Sequence, residues 1–158
     1  MKRSLSIQIL VLTLTLLVGS LAAVATERAF SANGRGVATF ITDEAGNIIG
    51  ANVTGTGNAT HLGLFTNAGK VFFKPNPNDP NLLDTSGEAI LTAANGDKLG
   101  IVVETGKTDV TTGVGTGTFR FTGGTGRFAN ASGLTSYVVE QNLLTGAYGL
   151  TIVGKIDF

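Results

Sequence analysis

The sequence predicts an all-β protein, an antiparallel eight-stranded β-barrel preceded by an N-terminal signal peptide. Three observations support this fold class. No stretch after the N-terminal segment repeats apolar residues at the spacing of an amphipathic helix. Several stretches instead alternate apolar and polar residues, as strands of a half-buried antiparallel sheet do. Glycine-rich turn sequences divide these stretches into about eight short strands, which is typical of a small barrel or sandwich.

The first 25 residues have the order of a secretory signal peptide. A short basic start is followed by an uncharged apolar stretch from Leu5 to Ala25, and charge resumes at Glu27. Ala23 and Ala25 give the small-residue pattern of a signal-peptidase site, so we expect cleavage after Ala25. The alternative is an uncleaved N-terminal membrane anchor, because a stretch of this length can just span a bilayer. The sequence thus predicts a secreted or periplasmic protein that contacts a membrane only through this segment before cleavage, and a single barrel domain over residues 26–158.

Turn signals organise the N-terminal half of that domain. Residues 43–47 separate strand-like sequences at 37–42 and 48–53, and Asn67-Ala68-Gly69 predicts a further turn. Lys74 to Gly87 contains all three prolines, which cannot donate to a sheet ladder. We expect a long surface loop there, which either crosses between barrel strands or serves as a binding segment.

The C-terminal half shows the clearest alternation. Asn95-Gly96-Asp97 predicts a tight hairpin, because asparagine and glycine tolerate positive φ. Phe119 and Phe121 share one face of a strand, with Arg120 on the other. After a turn at Thr145-Gly146, the last strand places five apolar residues on one parity: Tyr148, Leu150, Ile152, Ile156 and Phe158. In a barrel this regular strand is paired on both sides.

Threonine and glycine alternate in three places, at 53–57, 114–118 and 123–126. Glycine at every second strand position removes the side chains from one face of that strand. Two explanations follow from this. The glycines either permit strand bending and the close approach of a bulky neighbour, or they leave room for a ligand.

Composition excludes several kinds of site. Eleven basic and eleven acidic residues give no net charge, so the basic surface needed to bind nucleic acid is lacking. The chain has no cysteine and one histidine, which excludes thiol catalysis and zinc fingers. No ligand spacing for a metal occurs, and we expect neither a metal nor a cofactor.

Two residues are candidates for catalysis. His61, placed on a strand, would share a face with Ala59 and Phe65 and point into the barrel, where an imidazole could act as acid, base or ligand donor. The alternative is a hydrogen-bonded histidine at the mouth of the barrel. Glu104 shares parity with Val102 and could be an inward carboxylate acting as a base, or else a solvated residue at a strand end. The candidate ligand-binding residues are His61, Phe65, Phe119, Phe121 and Tyr148.

Residues 121–133, FTGGTGRFANASG, resemble the GGTG-x-F-x-x-A-x-G segment of the allene oxide cyclase and dirigent superfamily. The matching positions are Gly123, Gly124, Thr125, Gly126, Phe128, Ala131 and Gly133. The chain also looks like small secreted bacterial proteins of this barrel type, through residues 60–63 and 93–97. The resemblance implies an eight-stranded barrel with an apolar cavity. Plant members cyclise an unstable epoxide or guide radical coupling and form trimers or larger oligomers, which implies a homo-oligomer here. Their catalytic residues lie outside the shared segment, so none is carried over, and the motif positions are taken as structural.

Three functional hypotheses remain. The first is an exported barrel without catalysis, which binds a small apolar ligand or serves as a structural surface protein. The second is a barrel isomerase or cyclase for a small hydrophobic substrate, which uses His61 and Glu104. The third is a cell-surface interaction module that uses the proline-containing loop.

Overall fold

The computed structural model describes residues 26–158, so the predicted signal peptide lies outside the described residues. Eight antiparallel strands follow one another around a closed barrel, and the predicted fold class is confirmed. In chain order the strands are β1 (Arg28–Thr42), β2 (Ile48–Ala59), β3 (Gly63–Pro75), β4 (Leu82–Ala93), β5 (Lys98–Asp109), β6 (Val114–Gly124), β7 (Leu134–Gln141) and β8 (Ala147–Ile156). One short 3-10 helix spans Gly126–Phe128. Because β1 pairs with β8 as well as with β2, the described barrel has no unpaired edge strand.

Period-two alternation sorts the side chains between the barrel interior and its outer surface. On β8, Ile152 and Ile156 are buried while Thr151 and Val153 point outward. On β6, Phe119 and Phe121 are buried and Arg120 is exposed, as the sequence predicts. The predicted turns at residues 43–47, 95–97 and 145–146 are also confirmed.

The two ends of the barrel differ in their packing. We call the end at which β1 begins and β8 ends the closed end. There, four fully buried side chains fill the interior: Phe30, Leu99, Phe128 and Ile156. The opposite end, called the open end, carries the loops at 43–47, 76–81, 110–113 and 142–146. Inward-facing side chains near it, such as Phe40, Val139 and Leu150, keep partial exposure. The barrel is therefore solid at one end and accessible at the other.

The glycine-rich motif forms the cover of the closed end. The backbone N–H of Gly123 donates to the carbonyl of Ala131, which folds the segment back over the barrel. Thr125 extends the ladder beside β5, because its backbone and hydroxyl both bond to Lys98 at 2.9 Å. Phe128 is then inserted into the core with no exposed surface. Gly126 and Gly133 have φ values of +59° and +124°, a region that favours glycine.

Two predictions about the middle of the chain are wrong. Asn67 to Gly69 is not a turn but the centre of β3, where Gly69 lies closely against Ala89 of β4. The proline-containing loop is shorter than Lys74 to Gly87. It covers only residues 76–81, because Pro75 ends β3 where its missing N–H breaks no interior ladder. Residues 82–87 belong to β4.

Aromatic rings explain the alternating glycines of β1 and β2, whereas Gly115 and Gly117 of β6 lie against Val139 and the Thr105 backbone. Phe65 reaches over Gly57, where an added Cβ would lie 2.5 Å from the ring, and toward Gly34. The Tyr148 hydroxyl lies over Gly36 and Gly55 in the same way, at 2.6 and 2.8 Å from their added Cβ positions. These glycines thus leave space for rings that lie across neighbouring strands. This agrees with the first explanation given above, the close approach of a bulky neighbour.

Candidate functional site

A cavity of about 100 Å³ occupies the half of the barrel nearer the open end. Its walls come from all eight strands, and most of them are apolar. The lining includes Ala38, Val53, Val71, Phe73, Ala89, Leu91, Ile101, Val103, Phe119, Tyr137, Val139 and Leu150. The members that carry a polar group are Asn67, Thr85, Glu88, Thr108, Gln141, Tyr148 and, through its hydroxyl, Tyr137. Within residues 26–158 the lining contains no basic side chain, and its one carboxylate, Glu88, is on an exposed residue.

One polar pair in the cavity wall is satisfied by the protein itself. Asn67 of β3 donates from Nδ2 to the Tyr148 hydroxyl at 2.9 Å, and that hydroxyl donates to the carbonyl of Thr54 at 3.3 Å. The tyrosine reaches both because Gly36 and Gly55 present no side chain between β8 and β3. Burial raises the pKa of Tyr148, and the hydrogen bond from Asn67 partly offsets this rise.

A second polar group lies on the β4, β5 and β7 side of the barrel. The hydroxyls of Thr85 and Thr108 bond to one another at 2.8 Å. Tyr137 stacks on Phe119, with ring centroids 4.1 Å apart and planes inclined by 14°. Its hydroxyl lies over Gly106, 2.6 Å from the position of an added Cβ. Burial raises the pKa of Tyr137 to about 12.

The structure separates the predicted ligand-binding residues into two groups. Phe119 and Tyr148 line the cavity. Phe65 and Phe121 do not, because they are packed into the core toward the closed end, where Phe121 meets the edge of Phe30 at 5.0 Å. The sequence reasoning missed Tyr137 and Asn67. The alternation of residues 135, 137 and 139 along β7 was a signal that could have identified Tyr137.

The predicted placement of His61 on an inward-facing strand is wrong. His61 lies in the turn between β2 and β3 with a φ of +68°, outside the cavity lining and at the closed end. Its Nε2 is 3.0 Å from the carbonyl oxygen of Ala29, and its ring meets Phe158 edge-on at 5.3 Å. Arg127 donates to its backbone carbonyl. The site matches the alternative interpretation, a hydrogen-bonded histidine at one end of the barrel.

The predicted inward orientation of Glu104 is also wrong. Glu104 does share parity with Val102, but that parity is the outer face, because Ile101 and Val103 occupy the interior. A register shift between Val103 and Thr105 leaves Glu104 unpaired in the ladder. Its Oε2 accepts a hydrogen bond from Arg120 Nε at 2.8 Å, and both side chains are about half exposed. Such a surface pair is worth about 0.2–1 kcal/mol.

Two structural features are absent from residues 26–158. In this part of the chain no helix is long and apolar enough to span a bilayer. The same residues contain no group of three or more histidine, aspartate or glutamate side chains that could hold a metal ion.

Comparison with protein-family models and with curated proteins finds no match to this chain.

Proposed function

We propose that this protein is an exported, non-catalytic binder of a small apolar molecule, which it holds in the cavity at the open end of the barrel. The observation that carries this proposal is the contrast between the two ends. Side chains at the closed end fill the interior completely, whereas those near the open end leave about 100 Å³ between apolar walls. Concave, mostly apolar spaces with a few polar groups are the usual form of small-molecule sites.

The size of the cavity limits the ligand. An enclosed apolar cavity of about 150 Å³ binds benzene. A space of about 100 Å³ that opens at one end therefore suits one small ring or the end of an aliphatic chain, with the remainder of the molecule at the opening.

The isomerase or cyclase hypothesis has less support. Its two candidate residues, His61 and Glu104, lie outside the cavity lining and far apart in the fold, on a turn at the closed end and on the outer face of β5. The interaction-module hypothesis is also weakened, because the loop on which it depends has only the six residues 76–81. Export, membership in the allene oxide cyclase and dirigent superfamily, and oligomerisation stay predictions from the sequence. N-terminal sequencing of the exported protein tests the first, with Thr26 as the expected first residue.

The binding proposal is tested by filling the cavity. Val139 lines it, while the neighbouring Val138 points outward on the same strand and is 42% exposed. We expect α-methylstyrene, a small uncharged aromatic hydrocarbon, to bind the wild-type protein in an NMR titration. The Val139→Phe variant should bind it at least about tenfold more weakly, because excluding two buried methylene equivalents costs about 1.6 kcal/mol.

The Val138→Phe variant is the matched control and should bind like the wild type, since the same change is made on the outer face. Circular dichroism establishes that both variants are folded. Absence of binding to the wild type, or equal weakening in the two variants, would show that the cavity is not the binding site.

A further inference from the structure

The Tyr137 hydroxyl is the one hydroxyl of the described cavity lining that makes no hydrogen bond to the protein. The residue is only 5% exposed, and its ring is held against Phe119. Among residues 26–158 this hydroxyl makes no hydrogen bond. In the same residues, every side-chain nitrogen or oxygen that is fully buried does make a hydrogen bond. The hydroxyl oxygen therefore keeps some accessible surface, and it belongs to a residue that lines the cavity.

The neighbouring polar groups differ in this respect. Asn67 and Tyr148 bond to one another and onward to the Thr54 carbonyl, and Thr85 and Thr108 form a mutual pair. A ligand that bonded to any of these would have to break an existing contact. Tyr137 can donate a hydrogen bond without that cost. The side chains of Gln141 and Glu88 also make no hydrogen bond within residues 26–158, but Gln141 is the last residue of β7 at the open end, and a carboxylate accepts hydrogen bonds. Tyr137 is therefore the free donor that lies deeper in the cavity.

Charge restricts the ligand further. The described lining offers no lysine, arginine or histidine to a negative group. The loops of the open end contain Asp43, Glu44 and Asp79 and no basic residue. Hydrogen bonds from within the loop lower the pKa of Asp43, which keeps that carboxylate ionised. An anionic ligand would lose its hydration and gain no partner, which is costly.

We propose that Tyr137 is the specificity-determining residue of the cavity, and that it donates a hydrogen bond to an uncharged ligand with an apolar ring or chain and one acceptor oxygen, such as a ketone. This inference rests on the proposed binding function and deepens it. The high pKa of Tyr137 is consistent with this role, because the hydroxyl then keeps its proton throughout the physiological range.

The test uses two probes of nearly identical shape. Acetophenone carries a carbonyl where α-methylstyrene carries a methylene group, so their affinities differ mainly through one acceptor oxygen. The quantity measured is the ratio of the two dissociation constants, by NMR titration, in the wild type and in Tyr137→Phe. Comparing ratios cancels the difference in hydration between the two probes. We expect acetophenone to lose about three- to tenfold relative to α-methylstyrene when the hydroxyl is removed, as a neutral hydrogen bond predicts.

Tyr148→Phe is the matched control, because it removes the other cavity hydroxyl, which is already engaged by Asn67 and Thr54. Its ratio should not move against acetophenone by more than about twofold, because the Asn67 amide that loses its tyrosine partner is itself a donor and can only favour the ketone. An unchanged ratio in Tyr137→Phe, or an equal shift in both variants, overturns the assignment of Tyr137 while α-methylstyrene binding still supports the cavity. If neither probe binds the wild type, both the assignment and the binding proposal fail.

Discussion

Substitution of Gly57 by alanine tests whether the alternating glycines exist to accommodate aromatic rings. Gly57 lies on β2, paired with Gly34 on one side and Phe65 on the other. A Cβ at this position would be 2.5 Å from the Phe65 ring and 2.4 Å from the Asn33 carbonyl oxygen. Both distances are far inside van der Waals contact, so the ring and the backbone must move.

The expected magnitude follows from two opposing effects. Overpacking of an interior costs about 1–3 kcal/mol, whereas replacing glycine by alanine restricts the unfolded chain and returns about 0.4–1 kcal/mol. Because the clash includes a backbone oxygen, which cannot rotate away, the upper half of the overpacking cost applies, and the net loss of unfolding free energy should be about 1–2.6 kcal/mol. For a domain of this size that corresponds to a fall in Tm of roughly 3–10 °C, measured by calorimetry or by circular dichroism.

Gly149 provides the matched control, because a Cβ added there meets nothing within 4 Å. The Gly149→Ala variant should be as stable as the wild type or more stable by up to about 1 kcal/mol. Adding Phe65→Leu to Gly57→Ala shortens the obstructing side chain, so the double variant should lose less stability than the sum of the single changes, by about 0.5–2 kcal/mol. Equal Tm values for the two alanine variants, or strict additivity with Phe65→Leu, would refute the role assigned to the glycines.

Two further predictions concern the C-terminus and the tyrosines. Phe158 contacts the Arg28 guanidinium at 4.5 Å and the rings of Phe128 and His61 at 5.1 and 5.3 Å. Phe158→Ala should therefore lower the unfolding free energy by about 1–3 kcal/mol in a urea titration. Leu144→Ala, at a side chain that is 97% exposed, should change the unfolding free energy by less than about 0.5 kcal/mol. Equal effects of the two substitutions would contradict a stabilising contribution from the contacts of Phe158. Burial raises the pKa of Tyr137 from an ordinary 10.0 to about 12. Between pH 10 and about pH 12 the Tyr137 hydroxyl therefore keeps its proton in the folded state and loses it in the unfolded state. Its stabilising contribution is complete below about pH 10 and is lost as the pH rises toward about 12. Urea midpoints should fall over this window less in Tyr137→Phe than in the wild type, and an identical fall would contradict the assignment.

The positions of the strands could be predicted because strands and turns depend on residues that are close together in the chain. Side chains alternate across a strand, so Phe119 and Phe121 identified a buried face of β6 without knowledge of its partners. Local turn chemistry likewise located the loop at 43–47, where Asp43 Oδ1 accepts hydrogen bonds from the N–H groups of Ala45 and Asn47.

The candidate site could be predicted only in part, because alternation separates two faces without saying which is inside. Glu104 was assigned the wrong face for this reason. His61 was assigned to a strand because its neighbours alternate. In the structure it lies in a turn with a positive φ, a backbone conformation that a histidine in the sequence does not indicate. Gly69 had the appearance of a turn residue, although its function is to let Ala89 approach.

The sequence by itself therefore determined the all-β class of the fold, a number of about eight strands and some of the aromatic residues of its interior, such as Phe119 and Phe121, since these depend on local periodicity and turn chemistry. Only the tertiary structure decided that the closed end is filled and the open end contains a cavity, that the Tyr137 and Tyr148 hydroxyls lie over glycines, and that within the described cavity lining the Tyr137 hydroxyl makes no hydrogen bond. These features depend on the register of all eight strands at once. Residues as distant as Asn67 and Tyr148 become neighbours only when the barrel closes.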